Sequence, residues 1–515
     1  MRNLFWLALL LLPRVGVAQS DSLLCTETFK PGKGSAGGVL IEENAGGIWF
    51  YERSSDREPS LMVARLDAGL STHWRKTIPI PQSQDTGPQD PDQAVAIGGR
   101  LIIFSVGQTE REARWNAFAT IADSTGRVIT GPVLVHSVED IWKSVRPTLL
   151  VRLSPDRSRM LVLFDPPHER RSQEPVSLSM LDSSLTLLWS RELELPYDTD
   201  IIQVHHFEPD NSGGVYLVSG ESAPKSGTGW QKPQGNRYVV FHYDHGTNTL
   251  REFDVTLKDK QIGTFRMQVN AQDELVMAGF YSNDFQISAA GTFLFVLSAR
   301  ADAVRTASYA PFGEELLGQY LTERQVNRKA GLPDFYLDHL FIAADGTYWL
   351  VGEQFAISEN LIMDPMTGRQ LIERRFTFDD ILIVQLGSTA RIQGTWRVPK
   401  RQFDLTRNPL LSYVCLWDTE EQTLRVVFND HPENERRMGT EGLDAVPLAW
   451  NGSRNAAVTQ VKLVVTSPET RPARQVIHRS RSSNFQLRPV MTSGSDAVRL
   501  IGLEGPRAFR FCAVP

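Results

Sequence analysis

The chain alternates between short apolar runs and polar turns, and one such unit recurs eight times. Each copy is a Gly- or Asp-marked turn followed by about seven mostly apolar, strand-forming residues. The copies are AGGIWFYE from Ala45, GGRLIIFS from Gly98, DRSRMLVLF from Asp156, GGVYLVSG from Gly213, DELVMAGF from Asp273, DGTYWLVGE from Asp345, EQTLRVVFN from Glu421 and SDAVRLIGLE from Ser495. Because they recur at roughly 50 to 75 residues, and one small sheet cannot bury both faces alone, the pattern indicates stacked sheets.

The segments around each copy divide into four antiparallel strands. In the third unit these segments are SVRPTLLVRLS, RMLVLFDP, VSLSMLD and LLWSRELEL. Helical periodicity is confined to a short insertion at about residues 314–330. The sequence therefore predicts an all-β fold, a single β-propeller of eight four-stranded blades, with seven blades as the alternative.

A finer signature, Leu-Asp-x-x-Leu-x-x-x-Trp, begins at Leu66 and at Leu181, and a degenerate copy ends at Trp396. It places a tight turn between the third and outer strands and a Trp on the outer strand. Since aromatic side chains bury the most area, we interpret Trp74, Trp189 and Trp396 as packing residues between blades rather than as ligand-stacking residues.

The connections between second and third strands are long in most units, and they emerge on the same rim because strands alternate in direction. Several second strands end there in polar residues, and two tryptophans lie within the long loops. The candidate ligand-binding residues of this rim are Glu221, Trp230, Glu353, Gln354, Asn429, Asp430 and Trp450. The alternative is that the polar residues are solvated strand ends and that each Trp anchors its own loop.

Outside this rim, the sequence signals for catalysis or metal binding are weak. His168 lacks the second His of a metalloprotease motif, and no G-x-S-x-G sequence occurs. His242, Asp244 and His245 share a short turn, where solvated histidines are commoner than a metal site. We predict no metal and no cofactor.

Composition and charge fit a large globular protein. Hydrophobic residues are 41% of the chain and charged residues 22%, and the net charge is −6 with both signs interspersed. This charge pattern argues against a nucleic-acid footprint, and we expect no nucleic-acid partner. We expect a monomer.

The first residues have the form of a cleavable secretory signal. Arg2 precedes an apolar run that ends in the small residues Gly16 and Ala18. The run is about half the length that crosses a bilayer, and no later stretch is long enough. We therefore predict a signal peptide at residues 1–18, one propeller domain at residues 19–515, a secreted or periplasmic location and no membrane insertion.

Three cysteines remain in this exported context, which permits disulfides. Cys415 lies within an apolar strand and is predicted to be buried. The last unit has only three strands, whereas a strand-like segment around Cys25 has no unit of its own. Donating that segment as the outer strand would close the ring and place Cys25 beside Cys512, where the alternatives are a disulfide or two free thiols.

The sixth and seventh units carry a resemblance to a known family. The pattern of that family is an (N/D)-D-I-hydrophobic-V strand, a Trp and a Pro-Lys-(R/K)-Gln run, followed by F-N-D-x-P-x-N. The matching positions are Glu353, Asp379, Asp380, Ile381, Trp396, Pro399, Lys400, Gln402, Phe428, Asn429, Asp430, Pro432 and Asn434. This stretch resembles secreted β-propeller-like proteins of Bacteroidetes-type bacteria, although Asp379 stands where Asn is usual. The resemblance implies a β-propeller fold and export from the cytoplasm. It implies no catalytic mechanism.

Together these patterns favour a non-enzymatic binding or scaffold protein. Its partner would be a glycan, a peptide or a protein held at the long-loop rim. The alternative is an enzyme with its site in the central funnel, such as a glycan hydrolase or lyase, which needs two acidic or His side chains within catalytic reach.

Overall fold

The computed structural model describes most of the 515-residue chain. It covers residues 24–26, 39–42, 48–53, 60–67, 70–80, 89–109, 114–139, 145–165, 173–198, 202–221, 238–283, 288–363, 366, 368–406, 408, 411–419, 421–435, 448–449, 457–464, 472–479, 485–490, 499–504 and 509–513. The predicted signal peptide lies outside these residues.

The first half of the chain is made of β-strands, as its alternating pattern predicts. In chain order they are β1 (Leu24–Cys25), β2 (Val39–Glu42), β3 (Ile48–Arg53), β4 (Ser60–Leu66), β5 (Thr72–Pro79), β6 (Gln89–Ile97), β7 (Arg100–Thr109), β8 (Arg114–Ala122), β9 (Val128–Glu139), β10 (Thr148–Leu153), β11 (Arg159–Asp165), β12 (Gln173–Asp182), β13 (Leu187–Asp198), β14 (Ile202–Pro209), β15 (Val215–Glu221), β16 (Tyr238–Asp244) and β17 (Thr249–Val255).

The second half continues in the same way and adds short helices. Its elements are β18 (Gln261–Val269), β19 (Glu274–Ser282), β20 (Ser288–Ala289), β21 (Gly291–Ser298), β22 (Ala303–Pro311), α1 (Glu314–Leu317), α2 (Glu323–Asn327), β23 (Leu332–Pro333), β24 (Phe335–Ile342), β25 (Tyr348–Met363), β26 (Gln370–Leu386), β27 (Ile392–Val398), β28 (Gln402–Asp404), β29 (Tyr413–Asp418), β30 (Thr423–Asp430), a 3₁₀ turn (Pro432–Glu435), β31 (Leu448–Ala449), β32 (Ala457–Val464), β33 (Ala473–Arg479), β34 (Phe485–Val490), β35 (Arg499–Glu504) and β36 (Phe509–Ala513).

Within the described residues, these strands form seven four-stranded sheets, one six-stranded sheet and one two-stranded sheet. Numbered along the chain, the first sheet is β2–β5, the second β6–β9, the third β10–β13 and the fourth β14–β17. The fifth contains β18, β19, β21 and β22; the sixth contains β24–β28 with β31; the seventh contains β29, β30, β32 and β33; and the eighth contains β34–β36 with β1. The fold is all-β, with four consecutive antiparallel strands as its usual unit.

Successive sheets pack on one another. Six apolar clusters join the first sheet to the second and so on through the seventh. The first strands of neighbouring sheets also touch: Gln93 bonds both backbone groups of Val151 (3.0 and 3.3 Å), and the Arg266 Nε donates to the Asp338 carbonyl at 2.8 Å. Serial packing of this kind is the arrangement of propeller blades, and closure at eight blades stays a prediction.

The segment around Cys25 takes the predicted place. β1 pairs antiparallel with β36 as the outer strand of the eighth sheet, with Leu24 opposite Ala513 and Cys25 opposite Cys512. Cys512 is buried, and Cys415 is a buried free cysteine, as its strand context predicts.

The Leu-Asp-x-x-Leu-x-x-x-Trp signature has the predicted role. Its second Leu, at Leu70 and Leu185, and Ala390 in the degenerate copy adopt a left-handed backbone conformation that tightens the turn. Trp189 then reaches the fourth sheet, where its Nε1 donates to the Gly213 carbonyl at 3.1 Å. Trp74 likewise donates to the Ser124 carbonyl of the second sheet at 2.9 Å. These tryptophans fasten one sheet to the next.

Two features of the sixth sheet differ from the sequence-based expectation. The insertion at about residues 314–330 forms the two short helices α1 and α2 instead of one, and it buries Leu316 and Leu317. The long connection after Glu353 is not a loop, because β25 and β26 continue as a paired ribbon to Met363 and Gln370. We call this ribbon, from 355 to 378, the hairpin arm.

Candidate functional site: a charged cleft beside the sixth sheet

An open cleft of about 210 Å³ lies where the helical insertion meets the sixth sheet. Its walls are almost entirely polar. The lining residues are Gln319, Tyr320, Gln354, Asp379, Asp380, Arg397, Lys400 and Arg401. We call this feature the charged cleft.

A β-bulge at the base of the hairpin arm builds the floor of the charged cleft. Glu353 of β25 pairs with Ile381 of β26, whereas Phe355 pairs with Phe378. Gln354 therefore lies opposite two residues, Asp379 and Asp380. An extra residue on one strand breaks the alternation of side chains between faces, so bulges redirect side chains next to functional sites.

Asp380 is held firmly on this floor. Its Oδ2 accepts a hydrogen bond from the Arg397 Nε at 2.5 Å, and its Oδ1 accepts one from the Lys400 backbone N–H at 3.1 Å. The Arg397 guanidinium lies over the Tyr320 ring, 5.1 Å from its centroid. This cation–π contact joins the helical insertion to the sheet.

Asp379 is the more available carboxyl group. It is half-buried, and no hydrogen bond to it is found among the described residues. Burial raises its pKa, while the nearby cations Lys400 and Arg401 partly oppose that rise. Asp379 with exposed Arg401 and half-buried Gln354 therefore offers a ligand an acceptor, a cation and an amide.

Beneath the charged cleft, Lys400 is buried completely. Its Nζ lies 2.6 Å from the Glu353 Oε1, and it donates to the Phe378 carbonyl at 2.9 Å and the Gln402 Oε1 at 3.1 Å. One ion-pair contact and two hydrogen bonds thus surround the ammonium group with oxygen atoms. The Ser412 Oγ donates to the other Glu353 oxygen at 2.7 Å. Glu353 thus serves a buried ion pair.

The same polar network continues into the seventh sheet. The Gln402 Nε2 donates to the Asn429 carbonyl at 2.5 Å. Asp430 accepts bonds from the His431 N–H at 2.8 Å and the Asn434 Nδ2 at 2.7 Å, and it is paired with Arg474. Burial lowers the pKa of Arg474 to about 10. Glu353, Lys400, Gln402, Asn429 and Asp430 therefore belong to one polar network between the two sheets.

The structure corrects one expectation about the rim. Glu353, Asn429 and Asp430 are brought together, but each is 5% exposed or less, so the expectation of solvent-accessible side chains is wrong. Polar strand ends were expected to face solvent, whereas these turn inward because Lys400, Gln402 and Arg474 supply partners.

The other candidates have mixed outcomes. Gln354 lines the charged cleft, and its Nε2 donates to the Pro333 carbonyl at 3.1 Å. Glu221 ends β15, and its side chain lies outside the described residues. Trp230 and Trp450 also lie outside them.

Asp338 is a titratable group that sequence reasoning missed. It lies in a second bulge, in β24, and its Oδ2 accepts a hydrogen bond from the Tyr413 hydroxyl at 2.8 Å. Burial raises its pKa to about 7, and the charge of Glu353 adds to the rise. The adjacent acids Asp379 and Asp380 in an apolar strand were a usable signal of the first bulge, but no comparable signal marks Asp338.

Two features are absent from the described part of the chain. Within the described ranges, no cluster of three or more His, Cys, Asp or Glu side chains could hold a metal ion. In the same part of the chain, no helix has the length and apolar character needed to cross a membrane.

Comparisons with known proteins give distant structural likenesses alone. No family model and no curated protein matches the chain. Prolyl oligopeptidase B from Galerina marginata is 9% identical with a TM-score of 0.37; the match covers 91% of this chain, which spans about half (55%) of that one. The β-propeller domain of the Trilobed protease from Pyrococcus furiosus is 9% identical with a TM-score of 0.32, covering 72% of this chain and 96% of that one. An ulvan lyase, described as a polysaccharide lyase, is 9% identical with a TM-score of 0.35, covering 83% and 93%. At these TM-scores the likenesses carry no argument about function.

Proposed function

We propose that this chain is an exported, non-enzymatic binding or scaffold protein that holds a glycan, peptide or protein partner in the charged cleft. The observation that carries the proposal is the contrast between fixed and available groups there. Asp380 and Lys400 are saturated by protein partners, whereas Asp379, Gln354 and Arg401 line an open space of about 210 Å³. A rigid floor with a few available polar groups is the usual form of a recognition site.

The test is a glycan and peptide array probed with the purified protein. We expect retention on one class of polar ligand, and we expect an Asp379→Ala, Arg401→Ala double variant to lose that signal. A Glu192→Ala, Glu194→Ala variant on the third sheet, away from the cleft, is the matched control. Equal array binding by the two variants would contradict the assignment of the site.

A funnel-sited glycan hydrolase or lyase is the second candidate. The observation in its favour is that Asp338 and Asp379, on two strands of one sheet, both have raised pKa values. A carboxyl group whose pKa is about 7, as that of Asp338 is, can act as a general acid. Release of shorter products from the array-positive glycans, lost on Asp379→Asn substitution, would support the enzyme over the binding protein.

The ring and its location belong to the same proposal. We propose an eight-bladed ring, cleavage after residue 18, and membership of the secreted family that the motif resembles. An image of the purified protein with seven radial sheets, or a mature N-terminus that retains residues 1–18, would contradict these parts. A disulfide between Cys25 and Cys512 is proposed as well, supported by their opposition in the β1–β36 register.

A further inference from the structure

The hairpin arm carries an exposed apolar tip. Phe376 is the residue nearest the end of the arm that still pairs with β28, and beyond it the two strands extend alone for roughly 20 Å. Six large apolar side chains stand exposed at the end: Leu361, Ile362, Met363, Met366, Leu371 and Ile372. Leu361 is 72% exposed and Met366 93%. We call these six residues the apolar tip.

The apolar tip is apolar on both faces of the ribbon. Leu361 pairs with Ile372, and the next pair, Ile362 with Leu371, lies one residue further along. Directly opposed residues share a face and consecutive pairs point to opposite faces. A flat protein surface would cover one face and leave the other in water. An occupant that surrounds the tip is needed to bury both.

A polar belt lies immediately behind the tip. Three consecutive cross-strand pairs form it: Ser358 with Arg375, Glu359 with Arg374, and Asn360 with Glu373. The Arg374 Nε donates to the Glu359 Oε1 at 2.8 Å. The charged side chains of the belt would be costly to desolvate. The belt therefore limits how deeply the apolar tip can enter an apolar medium.

The dimensions and the charges match the surface of a lipid bilayer. The two apolar pairs, with the Met363–Gln370 pair beyond them, occupy three residues of each strand, about 10 Å of ribbon, which equals the depth reached by interfacial membrane anchors. Arg374 and Arg375 in the belt are complementary to lipid phosphates. The neighbouring Glu359 and Glu373 suit ammonium head groups.

The geometry points to a lipid-anchoring role: we propose that the hairpin arm inserts its apolar tip into the outer layer of a membrane, with the polar belt among the head groups. Such a shallow insertion does not cross the bilayer. The proposal differs from the sequence-based expectation of no membrane insertion. It does not depend on the charged cleft, so the two proposals can fail separately.

The test is vesicle co-sedimentation of the exported protein, with its N-terminus verified by mass spectrometry. Vesicles are of phosphatidylethanolamine with phosphatidylglycerol, and of phosphatidylcholine alone. We expect the wild-type protein to bind, and we expect a Leu361→Ser, Met366→Ser, Ile372→Ser variant to partition about a hundredfold less. Because these side chains are exposed, thermal unfolding should be unchanged.

The matched control removes three exposed apolar residues from the outer strands of other sheets: Leu134→Ser, Leu187→Ser, Val304→Ser. It should bind vesicles as the wild type does. In addition, a fluorophore on Met366→Cys should shift to the blue with vesicles, whereas one on Leu187→Cys should not. Absence of wild-type binding, or equal losses in the two triple variants, overturns the proposal. So does a dimer that the tip variant dissociates without any vesicle binding, which would assign the tip to a second copy of the chain.

Discussion

The Nζ of Lys400 and the Oε1 of Glu353 lie 2.6 Å apart, and neither side chain is more than 6% exposed. The pair joins the second strand of the sixth sheet to the segment after its fourth strand. A buried ion pair contributes little net stability by comparison with apolar residues, but removal of one partner leaves the other charge uncompensated. The pair therefore acts as a constraint on how these segments assemble.

Lys400→Met should lower the free energy of unfolding by about 3–5 kcal/mol, because it leaves the buried Glu353 carboxylate without a cation beside it. Urea denaturation measures this loss. Arg401→Met is the matched control, since Arg401 is exposed and its loss should change stability by less than about 0.5 kcal/mol. Adding Glu353→Gln to Lys400→Met should recover part of the loss. Equal urea midpoints for the two single variants would show that the pair is not a structural constraint.

Asp338 should make the protein less stable as the pH rises from about 4 to 7. Its pKa is about 7 when folded and 3.8 as a free side chain, so in this range the folded state holds a proton that the unfolded state has lost. The free energy of unfolding then falls by about 1 kcal/mol per pH unit from this group. The adjacent His339 acts in the opposite direction below pH 6.5, because burial lowers its pKa to about 4.

The contribution of Asp338 is isolated by comparing the wild type with Asp338→Asn across that range. The difference between their unfolding free energies should change steadily from pH 4 to 7 and level off above 7. Glu208→Gln is a useful parallel, because burial raises the pKa of Glu208 to about 7 as well. A pH-independent difference for Asp338→Asn would mean that its carboxyl group titrates normally.

Cys25 and Cys512 should be recovered as one disulfide-linked peptide pair from oxidatively exported protein. Unfolded under non-reducing conditions, the chain should show a single reactive thiol, that of Cys415. The Cys25→Ser, Cys512→Ser variant should be less stable by about 2–5 kcal/mol, with native strain reducing the figure. Cys415→Ser serves as the control that leaves the link intact. Three reactive thiols per chain would end the disulfide proposal.

Variants in the charged cleft should separate binding from folding. Once the array identifies a ligand, Asp379→Asn or Arg401→Ala should weaken its affinity by about tenfold or more, as loss of one charge-assisted hydrogen bond does. Their urea midpoints should stay near the wild-type value, since both side chains lie at the open surface of the cleft. Unchanged affinity in both variants would place the ligand elsewhere.

The repeating architecture could be predicted because the residues within each unit are enough to indicate its strands and turns. The third sheet has its four strands in the predicted order, and Leu185 marks the tight turn before Trp189. Period-two alternation, turn residues and a large aromatic side chain are properties of short segments. These properties can be recognised in the sequence without knowledge of the tertiary contacts.

The candidate site was only partly predictable, because its chemistry depends on distant partners. Glu353 and Asp430 read as exposed strand ends, yet the residues that bury them, Lys400 and Arg474, are about 45 residues away in sequence. Tyr320 reaches the charged cleft from the helical insertion. Sequence patterns show which residues are polar, whereas the partner that each one meets is a tertiary property.

The pairing of β1 with β36 places a condition on the order of folding. Apart from β31 of the sixth sheet, the strands of the first to the seventh sheet follow one another closely, so these sheets can form while the chain is still being made. The eighth sheet cannot. β1 must remain without its partner strand through the synthesis of everything between Cys25 and Cys512, and its pairing is among the last contacts to become available. Correct folding therefore requires that this early segment does not pair with another strand before β36 has been made.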